Sequence, residues 1–315
     1  MTSLDVICVN WNSGRQLAAC LASMARASRT GFTLERVVVV DNASHDHSAT
    51  GLEFPTLPLE VIANRTNRGF AAACNQGARG SRSDYLLLLN PDTVLESGSL
   101  ALPLAFLESA EGADVGVCGI QLADEQGVVA RSCTRFPTAG SLVAASAGLD
   151  RLLPRWFTGS FMHEWHHLDS RDVDHVIGAF YLVRRSLFER LHGFDERYFV
   201  YFEDLDFSLR ASVAGWRRHY LATARAFHRG GGISDQVKAE RLQYLLRSRL
   251  RYVRRHFSRP GAWAVTLATL IVEPAVRVIA ALGRGALSQV RDTVRAYGLL
   301  ARASARADAV GRDSS

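Results

Sequence analysis

The chain opens on a mostly apolar run, Leu4–Val9, which reads as a buried strand, and passes through Asn10-Trp11-Asn12-Ser13-Gly14 into a helical pattern over Leu17–Ala27. The alternation continues. Arg36–Val40 reads as a second strand, Leu59–Ile62 as a third, Gly69–Ala78 as a helix, Tyr85–Leu89 as a fourth strand, Leu100–Leu107 as a helix and Val115–Ile120 as another strand. Apolar strands of this kind, alternating with helices, predict an α/β fold with a mostly parallel sheet covered on both faces. Ligands of such sheets bind beyond the carboxyl ends of the strands. Asn10, Asp41, Asn90 and Asp92 all fall at those ends, which predicts a single site there.

Residues 121–172 are less regular, rich in Gly, Pro and aromatic residues, and read as loops lining an acceptor groove. Val173–Val183 then reads as a strand, Ser186–Leu191 as a short helix, Glu203–Ala214 as a helix ended by Gly215, and Trp216–Leu221 as a strand. From Gln236 onward the pattern is helical. Within it, Trp263–Leu282 is long and apolar enough to span a bilayer, but Glu273-Pro274 and Arg277 interrupt its centre. An interfacial helix pair with arginines at headgroup level fits this pattern better. The alternative is a helical cap on the catalytic domain.

Composition narrows the classes. At 315 residues with 48% hydrophobic and 22% charged residues, a packed core is expected and disorder is not. Lys238 is the sole lysine, so the net charge of +6 is an arginine charge. Eleven arginines stand between Arg247 and Arg302 against Glu273 and Asp292 alone, a distribution suited to anionic lipid, nucleic acid or a diphosphate. The five cysteines are scattered without a CxxC pair, as in a reducing cytosol. No basic run precedes an apolar one near Asp5, so no secretory signal is expected.

The candidate chemistry is densest at Tyr198–Arg210. Glu203, Asp204 and Asp206 place three carboxylates in four positions directly after an aromatic run. Burial and mutual repulsion there push carboxyl pKa values up and apart, as a general base requires. The competing reading is an acidic first turn favoured by the helix dipole. Asp41 follows four valines and can accept hydrogen bonds from a nucleobase or ribose, or it can cap a following helix. Asn67-Arg68-Gly69 opens a helix whose N-terminus can meet a phosphate, though an ordinary small-residue start explains it as well. Asn90-Pro91-Asp92 offers one carboxylate to a divalent cation, or is simply a turn. His163-Glu164-Trp165-His166-His167 matches HExxH, but its flanks do not support the long helix a zinc site needs. A Rossmann dehydrogenase is disfavoured, because no GxGxxG follows the first strand.

Seven short motifs stand in one order: Asp41-Asn42-Ala43-Ser44, Asn67-Arg68-Gly69-Phe70, Asn90-Pro91-Asp92, Gly178-Ala179-Phe180, Gly193-Phe194-Asp195-Glu196, Glu203-Asp204-Leu205-Asp206, and His228. With them the chain resembles glycosyltransferase family 2, and more narrowly its bacterial rhamnosyltransferase-like branch, from about Leu4 to about Phe257. The resemblance implies a GT-A fold over residues 1–235, with a nucleotide-sugar part over about 1–120 and an acceptor part over about 121–235. A helical, membrane-associated segment follows over 236–315. It implies inverting transfer from a nucleotide-diphosphate sugar, with dTDP-L-rhamnose as the expected donor and a polyprenyl-diphosphate-linked saccharide as acceptor. Asp204 is then the base, with Glu203 and Asp206 supporting it. Asn10, Asn12, Asp41, Asn67, Gly69 and Asn90 contact the donor, while Gly178, Ala179 and Trp216 lie on the acceptor side. Asp92 and His228 hold Mg or Mn, with Asn90 replacing the first aspartate of the DxD pattern. Such an enzyme works in the cytoplasm, peripheral on the inner face of the cytoplasmic membrane, in cell-envelope polysaccharide synthesis, and has no nucleic-acid partner. A donor-binding module without catalysis is the second class, which the intact Glu203-Asp204 pair argues against.

Overall fold

In the computed structural model, which describes residues 1–157, 159–230 and 237–312, the elements run β1 (Thr2–Asn10), α1 (Arg15–Arg26), β2 (Phe32–Asp41), β3 (Leu59–Ala63), α2 (Phe70–Ala78), β4 (Tyr85–Leu89), β5 (Thr93–Leu95) and α3 (Ala101–Glu108). Then come β6 (Val115–Ala123), β7 (Cys133–Thr134), α4 (Ala139–Ser146), α5 (Leu149–Leu152), β8 (Arg171–Asp172), β9 (His175–Val176), β10 (Phe180–Arg184), α6 (Arg185–Arg190), α7 (Glu203–Val213) and β11 (Arg217–His228). The last helices are α8 (Lys238–His256), α9 (Arg259–Leu267), α10 (Glu273–Gly283) and α11 (Leu287–Arg312), with a π-helical turn, Ala268–Val272, between α9 and α10. Gln236, where the helical pattern is expected to begin, lies outside the described residues.

Two compact units divide this chain. One contains Met1–Phe136, Phe161–Phe199 and the chain from Glu203 through β11; the other contains Pro137–Ser160, Val200–Phe202 and the chain from Lys238 onward. The division differs from a single cut at residue 235, because α4 packs with α9. Residues 121–172 are accordingly not only loop. A reciprocal capping box between Thr138 and Ser141 starts α4 within that stretch.

The first unit is built on a nine-stranded sheet among the described residues, in the order β3-β2-β1-β4-β10-β6-β11-β5, with β8 added to β11. Strands β3, β2, β1 and β4 are parallel, and β11 is parallel to β6, but β10 runs antiparallel between β4 and β6. The sheet is thus mixed. Period-two alternation distributes β1 between two cores. Leu4, Val6 and Cys8 face α1 and α3, packing with Leu17, Cys20, Leu21, Met24 and Leu104, whereas Ile7 and Val9 pack with Ala71, Ala73, Phe188 and Phe207 on the other side. The spacing Leu17, Cys20, Leu21, Met24 is one stripe of a 3.6-residue helix. Small residues let α2 approach closely: a Cβ on Gly77 would lie 2.6 Å from Ile7 Cγ2. All five cysteines are free and buried, as small hydrophobes of these cores.

In the second unit, Leu246 and Leu250 of α8 pack against Leu300 of α11. α9, the π turn and α10 form one helical stretch from Arg259 to Gly283, with a mean hydropathy of 1.9 and 33% of its apolar window buried. Pro274 cannot donate to a helical ladder and crowds the carbonyl four residues back, and the π turn lies immediately before it. Glu273 is 5% exposed and is held by Arg249 of α8, by Arg277 one turn on, and by the Ser146 hydroxyl of α4, which donates at 3.3 Å. The charge that interrupts the apolar stretch therefore faces protein. On other positions of the same stretch, Trp263, Leu267, Ile271, Ile279 and Leu282 are exposed.

Candidate active site

Strand direction brings the carboxyl ends of β1, β2, β4 and β11 to one edge, together with the start of the antiparallel β10. There Asn10 pairs in register with Asp41, and His228 with Thr93. Asn10 is fully buried, and its Nδ2 donates to Asp41 Oδ1 at 2.8 Å, Ser48 Oγ at 2.9 Å and Ser44 Oγ at 3.1 Å. The Asn12 amide donates to Ser44 Oγ at 2.9 Å, and its own Oδ1 accepts from the His45 amide at 2.7 Å. Asn10, Asn12 and Asp41 thus form one network at the ends of β1 and β2. No helix follows Asp41 in residues 42–58, so its carboxylate organises a loop and is not a helix cap.

Asn67 and Gly69, expected to contact the donor, stand at the start of α2. The Gly69 amide donates to Asn67 Oδ1 at 2.9 Å, and the Phe70 amide donates to the Phe199 carbonyl at 2.6 Å. These two amides at the start of α2 are occupied by protein. They tie α2 to the segment that leads into α7. Gly69 has φ +85, and a Cβ there would stand 2.4 Å from the Phe199 carbonyl oxygen, so only glycine fits.

At the end of β4, Asp92 is 9% exposed and its Oδ1 lies 3.3 Å from His228 Nε2. The half-buried Asn90 is fixed through its backbone, its amide donating to the Ala179 carbonyl at 3.0 Å. The two predicted metal ligands meet although 136 positions separate them (228 − 92). Among the described residues no group of three or more His, Cys, Asp or Glu side chains is suited to a metal ion. A carboxylate oxygen and an imidazole nitrogen are compatible with a divalent ion whose other positions are filled from outside the protein.

The three acidic residues of α7 separate by environment. Asp206 is fully buried and accepts from Arg210 Nε at 2.7 Å, while the same guanidinium donates to the Leu191 and Gly193 carbonyls at 2.7 and 2.9 Å. It anchors a turn. Glu203 is 4% exposed, and burial first, then the neighbouring Asp204 charge, raises its pKa well above the ordinary carboxyl range. Asp204 keeps 16% of its side chain exposed. Its Oδ2 accepts from the Gly178 amide at 2.8 Å and its Oδ1 from the Leu205 amide at 2.8 Å. The expected strand Val173–Val183 is in fact broken into β9 and β10, and the break at Ile177–Ala179 directs the Gly178 amide to Asp204. Just before α7, Tyr201 and Phe202 hold φ values of 68° and 69°, a left-handed conformation that costs non-glycine residues about 1–3 kcal/mol each and concentrates at functional sites.

Trp216 does not join this group. It precedes β11 at the opposite edge from His228, where its ring lies beside Arg184 and a Cβ on Gly116 would touch it. The HExxH segment is not helical. His167 is buried under Trp165, and its Nε2 accepts from the Cys133 amide at 3.3 Å, while His163 contacts Arg131 and Glu164 pairs with Arg135. Sequence reasoning missed two residues here. Asn75 of α2 grips the turn before α7, its Oδ1 accepting from the Phe194 amide at 2.9 Å and its Nδ2 donating to the Phe194 carbonyl at 2.8 Å. His175 stands 3.6 Å from Asp204 Oδ2. The Gly193-Phe194 motif carried a signal for the first; nothing in the spacing marked the second.

Residues 5–192 match the family model of glycosyl transferase family 2, and the chain belongs to that family. Within it the chain is rhamnosyltransferase-like. It is 30% identical over 244 residues, 71% of this chain and 75% of the relative, to the N-acetylglucosaminyl-diphospho-decaprenol L-rhamnosyltransferase of Mycobacterium tuberculosis. It is also 32% identical over 180 residues, 56% of this chain and 64% of the relative, to the rhamnosyltransferase WbbL of Escherichia coli K12. Among solved structures it is similar to the mannosyltransferase PcManGT of Pyrobaculum calidifontis in complex with GDP-Man and Mn2+, with a TM-score of 0.55, 20% identity, and coverage of 96% of this chain and 80% of the other. It is likewise similar to residues 1–349 of S. aureus TarS in complex with UDP-GlcNAc, with a TM-score of 0.51, 17% identity, and coverage of 96% and 92%. The fold is the GT-A type, with a C-terminal helical region, and the protein is a glycosyltransferase.

The contact of Gly69 with Phe199 yields the first prediction. Gly69→Ala forces an L residue to positive φ and pushes a methyl against a backbone carbonyl, at an expected cost of about 1–3 kcal/mol. The thermal midpoint should fall and transfer should weaken with it. An unchanged midpoint together with full activity would show that the approach of α2 to Phe199 relaxes freely.

Proposed function

We propose that this enzyme transfers a sugar with inversion from a nucleotide-diphosphate sugar, dTDP-L-rhamnose before UDP-hexoses or GDP-mannose, to a polyprenyl-diphosphate-linked saccharide. The observation that carries the reading is Asp204. It is the one acidic side chain of α7 that keeps a solvent-facing surface without a cationic side chain bound to it in the way that Arg210 binds Asp206. The names of the mycobacterial and E. coli relatives support rhamnose as donor sugar, and the mycobacterial name supports a diphospho-polyprenol acceptor.

In this reading an acceptor hydroxyl hydrogen-bonds to the Asp204 carboxylate. As its oxygen bonds to the anomeric carbon, the proton passes to Asp204 and the bond to the diphosphate breaks on the opposite face, which inverts the configuration. Asp41 receives the nucleoside on a loop that Asn10 and Asn12 hold in place, and Asn90 lies beside the diphosphate. Asp92 and His228 are the residues that would hold a divalent ion, Mg or Mn, in line with the Mn2+ complex of the mannosyltransferase neighbour. When bound, such an ion neutralises negative charge on a departing nucleoside diphosphate. The aromatic side chains Tyr198 and Phe199 limit water near the donor.

The exposed stripe Trp263, Leu267, Ile271, Ile279 and Leu282, with Arg259 and Arg284 exposed at its two ends, supports a peripheral position on the cytoplasmic face of the membrane. Each arginine near an anionic surface adds on the order of 1 kcal/mol. The buried Glu273 cluster favours lying at the interface over crossing it.

Four outcomes are expected. With a panel of nucleotide sugars and a diphosphate-lipid acceptor, release of nucleoside diphosphate should be fastest with dTDP-L-rhamnose; a faster UDP-hexose or GDP-mannose reassigns the donor. Asp204→Asn should slow turnover by about a hundred- to ten-thousand-fold with donor binding retained, and a folded variant keeping a tenth of the rate would remove Asp204 as the base. EDTA should abolish transfer and Mg or Mn restore it, whereas full activity in chelator rejects the metal. The last outcome concerns the membrane. Full-length protein should float with anionic vesicles, and a Trp263→Ser, Ile271→Ser, Ile279→Ser triple variant should not; equal flotation, or none, rejects the stripe as the membrane face.

A further inference from the structure

His175 belongs to none of the roles above, yet it is among the most enclosed titratable groups near the site. It is 4% exposed, and β9 holds its backbone against β7, with Thr134 opposite in register. Its Nε2 lies 3.6 Å from Asp204 Oδ2, and its Nδ1 lies 3.1 Å from Ser208 Oγ. Ser208, one helical turn beyond Asp204, is itself fully buried and lies 2.8 Å from the Tyr181 hydroxyl. Tyr181, Ser208, His175 and Asp204 therefore form a continuous polar chain from the core to the solvent-facing carboxylate.

Chemistry gives this chain a direction. A buried imidazole without a proton on Nε2 would turn a lone pair toward a carboxylate, which is repulsive. With the proton on Nε2, Nδ1 accepts from the Ser208 hydroxyl and Ser208 accepts from Tyr181. We propose that His175 is a positioning residue for the base: its Nε2–H faces Asp204 Oδ2 and, with the Gly178 amide, keeps that oxygen engaged, so that Oδ1 receives the acceptor's proton. No proton leaves the chain; its role is orientation. This rests on the reading of Asp204 as the base.

The charged groups facing His175 are Asp204 of α7, Arg218 of β11 and its own neighbour Asp174, with Tyr181 of β10 reached through Ser208. Burial outweighs the rest and, with Arg218, lowers the imidazole pKa below its ordinary value; Asp204 and Asp174 pull the other way. The sign follows. A histidine with a lowered pKa is neutral at pH 7 and takes its second proton only as the pH falls below about 6.5. The Ser208 hydroxyl must then reverse, and the cation beside Asp204 weakens it as a base.

The test uses the full-length enzyme and nucleoside diphosphate release, with kcat and both KM values measured from pH 5 to pH 9. His175→Leu should lower kcat by about ten- to a hundredfold with either KM changed less than about twofold, as expected for a misoriented base. His175→Gln, whose amide can donate to Asp204, should recover most of that loss, and the acid limb of its kcat profile should lack the imidazole inflection. Ser208→Ala should fall between them. If His175→Leu does not fold, the glutamine and alanine variants decide: a wild-type pH profile in His175→Gln together with unchanged kcat in Ser208→Ala overturns the proposal. Asp204→Asn separates the two ideas. If it stays active, the assignment of the base is wrong; if it is inactive while the His175 and Ser208 variants match wild type, only the positioning role is wrong.

Discussion

The 2.8 Å hydrogen bond from the Gly178 amide to Asp204 Oδ2 joins the two features on which the site depends. One is a break in the sheet, where the chain leaves β9 and re-enters as β10, antiparallel between β4 and β6. The other is the first turn of α7. An antiparallel strand starts at the edge where its parallel neighbours end, so β10 brings its first residues to the place where β4 delivers Asn90 and Asp92. The same insertion supplies the Ala179 carbonyl, which accepts from the Asn90 amide and from Thr93 Oγ1. A wholly parallel sheet would have sent residues 177–179 to the opposite edge.

Around this bond the chain leading into α7 is held in a conformation it would not choose alone. Tyr201 and Phe202 are both left-handed, and aromatic residues rarely adopt that conformation. Within the first unit, the Phe70 amide fixes the Phe199 carbonyl, Asn75 clamps Phe194 through both amide atoms, and Arg210 ties Asp206 to the turn at 191–193. These contacts are backbone-directed. They set where α7 begins, and so where Asp204 stands, without drawing on the side chains that face solvent at the site.

Most of the sheet was legible because apolar strands and amphipathic helices leave periodic traces. Leu4–Val9, Arg36–Val40 and Tyr85–Leu89 each lie inside an observed strand, and Asn10, Asp41 and Asp92 reach one edge as their positions at strand ends implied, while His228 joins them because β11 runs past the expected end at Leu221. What was not legible depends on direction and contact. An apolar run such as Phe180–Val183 reads the same whether it lies parallel or antiparallel, so the mixed sheet and the break at Gly178 left no periodic signal. Trp216 adjoined the motif-bearing helix in sequence, but an eleven-residue α7 carries it away from Asp204. Asn67-Arg68-Gly69 matched a helix-start motif, yet the partner of the next amide, Phe70, is the carbonyl of Phe199, which is distant in sequence. The helices within 137–160 were hidden because their partners lie beyond residue 237.

The cluster that first marked the chain, three carboxylates in four positions, would be self-defeating if all three shared one environment. Like charges at that spacing repel, and each would perturb the others. The fold removes two of them from contention by different means. Asp206 is neutralised by a guanidinium that has structural carbonyls to bind as well, so its charge is both paired and anchored. Among the described residues Glu203 Oε2 is buried without a hydrogen-bond partner, and burial first, then the Asp204 charge, raises its pKa. The outcome is one carboxylate with an open face, two backbone amides on its oxygens and an imidazole behind it, in a helix turn whose other acids have been silenced by burial and pairing. An acid-rich motif therefore yields a single reactive group because the sites around it are unequal, not because the residues are.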